Sequence, residues 1–251
     1  VAFAVAAVKG RMKTTSGNPV ELLKENLKTT SQELKPELIK LVAMLPASFS
    51  QGDEWLELPR LAEIEQLQLV LHMARRGDKS IRDEALQFAK HENAEFHEPA
   101  LRALADVAQT TEIPFLANLA ASGRGEEQAL ARRILYTLPG SEVDEYLVTQ
   151  LSVADEELKI EYLNAIGERN SADVTEALLE TAKTESKAVK IEAIKTLAKV
   201  AGVEDTDAVL QLLLAAESNR VRRELERSLF MVATKKGVEN ASTEPIVKAL
   251  K

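Results

Sequence analysis

Two histidine–glutamate pairs, His91-Glu92 and His97-Glu98, stand in the ten-residue stretch KHENAEFHEP that runs from Lys90 to Pro99. The chain has only three histidines, so a metal site is the first chemistry to weigh. Imidazole and carboxylate groups suit iron. Two ligands on one helix share a face when they lie about four residues apart, as in a His-Glu-x-x-His motif. His91 and His97 are six apart. At about 100° per residue, a continuous helix would turn them roughly 240° from each other. Pro99 suits the first turn of a helix, where its missing N–H costs nothing. Asn93 or Glu95 suits a cap just before it. The stretch therefore reads as a helix–helix junction with both histidines as junction residues. His72, in LVLHMARRG, reads as a buried or boundary residue of an apolar helix.

Other chemistry finds little footing. The chain has no cysteine, which excludes disulfides, thiolate metal sites and cysteine nucleophiles. No phosphate-binding GxxxxGK[ST], dinucleotide GxGxxG or GxSxG nucleophile elbow occurs, and Ser122-Gly-Arg-Gly125 has neither the lysine nor the length of a phosphate cradle. The acidic pairs Asp53-Glu54, Glu126-Glu127 and Asp155-Glu156 fall near expected helix starts, where they complement the helix dipole. No catalytic residue, cofactor site or metal site is assigned.

The elements around these residues are helical. Of 251 residues, 45% are hydrophobic and only 4% aromatic, with scarce Gly and Pro and abundant Ala, Leu, Glu and Lys. No stretch alternates with period two as a half-buried strand does. The net charge of −8 opposes a phosphate backbone, so nucleic acid is not an expected partner. No run of about 18 apolar residues exists, so membrane insertion is not expected either.

A repeat organises these helices. Leu158-Lys159, Val189-Lys190 and Val221-Arg222 each open an apolar helical pattern, at intervals of 31 and 32 residues between the basic positions. Earlier copies begin at Leu130, Phe96, Gln66 and Leu34, and AFAVAAVKG near residue 4 reads as the end of another. Shorter amphipathic segments lie between, starting at Asn18, Thr111, Ser141, Ser171 and Asp205. Gly10, Gly77, Gly140, Gly167, Gly202 and Gly237 fall where left-handed residues would end helices. A hairpin repeated at this period cannot bury its apolar stripe alone and does so by stacking.

At this point the chain resembles the HEAT-repeat family in its short bacterial form. The resemblance rests on Leu158-Lys159, Val189-Lys190, Val221-Arg222 and the Ala and Leu positions after them. It implies an all-α fold: an α-solenoid, a right-handed superhelix of about seven helical hairpins. Residues 1–77 read as irregular repeats beginning mid-repeat, interrupted by Gly52, Trp55 and Pro59. Residues 78–237 read as regular repeats and 238–251 as the start of a further one. Both ends fall inside a unit without a polar cap, which suggests a piece of a longer protein. Arrays of this type resemble parts of large multidomain proteins, some exported or periplasmic.

FHEPALRALADVA also looks like the His-Glu helices of deoxyhypusine hydroxylase, a di-iron enzyme on HEAT-like repeats. That family draws His-Glu pairs from four repeat helices. Here the matching positions hold Gln66-Leu67, Ala131-Arg132, Lys159-Ile160, Lys190-Ile191 and Arg222-Arg223, and His91-Glu92 is out of register. An iron enzyme is therefore the disfavoured alternative. A nucleic-acid-binding HEAT-like protein is another, since Trp55, Tyr136, Tyr146 and Tyr162 form no aromatic register.

The expected function is a non-catalytic scaffold whose concave surface meets a protein partner or another domain of its parent chain. Lys159, Lys190, Arg222 and Arg223 are the candidate protein-binding residues. Stacking would bring the first three into a row. Three readings of that row stay open: each cation bonds a loop or Asp of a neighbouring repeat, the row receives an acidic peptide or protein surface, or, least favoured by the net charge, it meets nucleic acid.

Overall fold

The computed structural model describes residues 2–14, 18–45, 61–171, 173–237, 241 and 243–249. Gly52, Asp53, Glu54, Trp55 and Pro59 lie outside them. Among the described residues every regular element is a helix, and none is long and apolar enough to cross a membrane. The fold is an α-solenoid, and the chain divides into two compact units. One comprises Val1–Glu112 with Arg124–Ile134, the other Ile113–Gly123 with Leu135–Lys251.

The first unit contains α1 (Ala2–Thr14), α2 (Pro19–Thr29), α3 (Lys35–Ile39), α4 (Glu63–Ala74), α5 (Arg82–Ala89) and α6 (His97–Val107). α2 starts as its sequence demands. Asn18 accepts from Val20 N at 2.9 Å, Pro19 takes the first helical position, and Val20, Leu23 and Leu27 face inward. The segment from Leu34 is shorter than its pattern predicts. α3 gives way after Ile39 to a 3-10 turn over Lys40–Met44, which still buries Leu41 and Val42. α4 brings Leu67, Leu69, Val70 and Met73 into the core. It ends as expected at Gly77, whose φ of 75° is open to glycine at no steric cost. There Gly77 N donates to Ala74 O and Asp78 N to Met73 O, closing the helix end.

The second unit contains α7 (Ile113–Ser122), α9 (Ser141–Gln150), α10 (Glu156–Arg169), α11 (Thr175–Thr184), α12 (Lys187–Val200), α13 (Thr206–Leu214), α14 (Asn219–Ala233) and α15 (Glu244–Ala249). Between α7 and α9 in sequence runs α8 (Gly125–Thr137). α10, α12 and α14 pack directly on one another as an inner row, with α9 on α10, α11 on α12 and α13 on α14. α12 has neighbours on several sides, so its apolar residues spread around it. Val189, Ile191, Ala193, Ile194, Leu197 and Ala198 are all buried.

Three glycine expectations fail, and at Gly167 the reason is packing. Gly167 lies inside α10, and the left-handed residue that ends this helix is Asn170, with φ 51°. A Cβ on Gly167 would stand 3.1 Å from Lys199 Cδ, so glycine serves a close approach of α12. Gly10 lies inside α1, and Gly202, at φ −91°, is not left-handed.

Candidate functional site

The two histidines are built into the first unit. His97 Nε2 lies 2.6 Å from the carbonyl oxygen of His91, and His97 Nδ1 lies 3.1 Å from Glu127 Oε1. One ring thus ties the end of the α5 hairpin arm to α8. The His91 ring accepts from Asn93 N at 3.1 Å, meets the Phe96 ring at a 43° tilt with 4.9 Å between centroids, and has Glu63 Oε1 3.7 Å from its other nitrogen. Asn93 caps the 3-10 turn Ala94–Phe96 and Pro99 sits in the first turn of α6, as the junction reading requires. Among the described residues no three His, Asp or Glu side chains gather as a metal-binding group. His72 leaves Nδ1 buried without a partner among the described residues. Burial first, then Arg75 and Lys40, holds its pKa below the ordinary histidine value.

The four predicted binding residues fall in the second unit on successive inner helices, in different surroundings. Lys159 of α10 is nearly buried and its Nζ lies 2.6 Å from Glu185 Oε1, in the α11–α12 turn of the next hairpin. Arg222 of α14 is exposed, and its Nη2 donates to Ala216 O at 2.9 Å, in the turn before its own helix. Lys190 of α12 is half-buried and makes no side-chain hydrogen bond or ion pair among the described residues. Arg223 is exposed.

Lys190 lines a cleft of about 470 Å³ between the α11–α12 and α13–α14 turns. Its floor is aliphatic, from Ile194, Leu212, Val221 and Leu225, and its rim holds Lys183, Lys187, Glu185 and Glu217. On the other side of Lys187, a second cleft of about 490 Å³ opens between Ile160, Ile191 and Arg220.

Other side chains fix the frame, and sequence reasoning did not find them. Thr196 Oγ1 donates to Leu163 O at 3.1 Å, and Ser228 Oγ to Ile194 O at 3.0 Å. These hydroxyls tie α12 to α10 and α14 to α12. Their 32-residue spacing, equal to the repeat, was the available signal. Arg169, almost fully buried, lies 2.6 Å from Asp144 Oδ1 and also donates to the carbonyls of Leu138 and Gly140. Ser171 Oγ donates to the same Asp144 oxygen at 2.6 Å. Lys235 Nζ donates to three carbonyls at the end of α12, those of Lys199, Val200 and Ala201, at 2.8 to 3.1 Å. A cation there meets the negative end of the helix dipole. Lys199 and Glu168 pair across α12 and α10 at 2.6 Å.

Residues 145–229, from within α9 to near the end of α14, match the family model for HEAT repeats. No curated protein matches the chain in sequence. The chain is similar to human deoxyhypusine hydroxylase in complex with glycerol, with 15% identity over 90% of this chain and 88% of that one and a TM-score of 0.38. It is also similar to an engineered protein, with 20% identity over 88% of this chain and 98% of that one and a TM-score of 0.34.

Proposed function

We propose that the chain is a non-catalytic interaction scaffold, presenting a helix-lined surface to a protein partner or to other domains of a larger parent protein. The observation that carries this reading is the inner row of the second unit. Its helices are held side by side through buried hydroxyls at Thr196 and Ser228, while charged side chains such as Glu168, Lys195, Lys199 and Arg227 remain at the surface. A rigid stack gives area without the ordering cost that a flexible surface meets on binding. Its charges give selectivity and steering more than raw affinity.

Groups that elsewhere serve acid–base chemistry support the same reading through what they do here. His97 has both ring nitrogens bonded within the junction. Glu161 accepts from the Tyr136 hydroxyl at 2.5 Å. Burial, then Tyr146 and Asp155, pushes the Tyr162 phenol up to about 12, further from neutral pH than an ordinary tyrosine.

The test is photocross-linking in the source cells, with a photoreactive residue at position 195 or 227. A discrete protein adduct, or a cross-link to another domain of the same polypeptide, is expected. No adduct from either position would sink the scaffold reading.

A further inference from the structure

We propose that the cleft between the α11–α12 and α13–α14 turns receives an acidic peptide segment of a partner protein, one carboxylate on Lys190 and an aliphatic side chain on the floor. This rests on the scaffold reading and gives it a place and a class of partner.

The first argument is a contrast between successive repeats. Lys159 and Lys190 occupy the same repeat position, and Glu185-Ser186 recurs as Glu217-Ser218. In the earlier copy the cation closes on the turn, with Lys159 Nζ 2.6 Å from Glu185 Oε1. In the later copy Lys190 and Glu217 both line the cleft without pairing. The contact that fills this place in one repeat is left unmade in the next, and the cleft stands where it would be. An incoming carboxylate supplies the acceptor that Lys159 finds within the chain.

Charge complementarity chooses the occupant. The rim carries Lys183, Lys187 and Lys190 in a chain of net charge −8. Of the two rim carboxylates, Glu185 is already engaged by Lys159. Among the described residues Lys183 has only an exposed contact with Glu180 at 3.8 Å, and such contacts hold weakly. An acidic ligand is repelled by the chain as a whole and attracted here, which favours this one place. The floor of Ile194, Leu212, Val221 and Leu225 adds a requirement that charge alone does not, an aliphatic anchor beside the carboxylate. Glu217, exposed on the rim, opposes the ligand and limits its affinity.

The experiment is fluorescence anisotropy on the full chain with a labelled ten-residue peptide of alternating Glu and Leu. Matched Lys–Leu and Glu–Gly peptides serve as controls. Only the Glu–Leu peptide should bind well. Lys190→Glu should weaken it about tenfold or more, Lys190→Arg should preserve it, and Glu217→Gln should tighten it. Ala215→Trp, at an exposed position on the lining, should block the cleft without touching Lys190. Thermal melts confirm that each variant is folded. Binding unchanged by both Lys190→Glu and Ala215→Trp overturns the proposal. Binding lost instead on Arg227→Glu overturns it while leaving the scaffold reading intact. A single-stranded oligonucleotide that displaces the peptide through the same lysines overturns it in favour of nucleic acid. No peptide binding, together with no cross-linked protein, sinks both.

Discussion

Arg169 Nε lies 2.6 Å from Asp144 Oδ1, joining the last turn of α10 to the first turn of α9. The guanidinium is almost fully buried and its remaining donors reach the carbonyls of Leu138 and Gly140. It therefore satisfies the backbone of the α8–α9 connection as well as a carboxylate. Arg169→Ala would strand Asp144 and those carbonyls together. The expected loss is about 3 kcal/mol, read from the urea midpoint, because removing one partner leaves the other charge uncompensated. Arg169→Lys keeps the charge but not the planar fork and should fall between. A shift below about 0.5 kcal/mol for Arg169→Ala, the range of ordinary surface changes, would refute this role.

Lys159 and Lys190 should separate in a stability assay despite their shared repeat position. Lys159→Ala removes a largely buried, short ion pair and should cost about 1 kcal/mol. Lys190→Ala removes no internal bond and should change stability by less than about 0.5 kcal/mol. Equal losses in thermal melts would show that Lys190 is used within the fold.

His72 should make the first unit less stable in mild acid. Burial, with Arg75 and Lys40 nearby, holds its folded pKa below the ordinary histidine value of 6.5. The unfolded chain then binds the proton more readily, so stability is full above about pH 6.5 and falls as pH drops toward the folded pKa. His72→Gln should flatten that part of the profile of unfolding midpoint against pH. A profile identical to wild type would show that His72 does not contribute.

His97 should affect the junction and not metal content. His97→Ala breaks the bonds to His91 O and Glu127 and should cost about 1 kcal/mol in chemical unfolding. Elemental analysis of protein purified with ferrous iron should give the same substoichiometric metal before and after substitution. Stoichiometric iron that disappears on His97→Ala would restore the enzyme alternative.

Parts of this arrangement could be read in advance because they depend on local pattern. Lys159, Lys190 and Arg222 marked the 31- to 32-residue period, and each lies on an inner helix. Pro99 and Asn93 placed the α5–α6 junction through local capping chemistry. What the three cations touch could not be read the same way. Lys159 reaches a turn in the next hairpin, Arg222 reaches the turn before its own helix, and Lys190 reaches neither. Those outcomes depend on how far each turn stands from the neighbouring helix, and no local pattern sets that distance. Gly167 misled for a similar reason: its lack of a side chain serves α12 packed beside it, while Asn170 ends the helix.

The Thr196 and Ser228 bonds have a mechanical consequence. Each joins a short side chain to the backbone of the adjacent inner helix, so besides the apolar packing a hydroxyl pins α10 to α12 and α12 to α14 at one point each. The outer helices α9, α11 and α13 touch one another less. Under load, this unit should flex like a hinged strap with an inextensible lining. The inner row keeps its length, the outer helices spread or close, and the clefts along their turns change width with the bend.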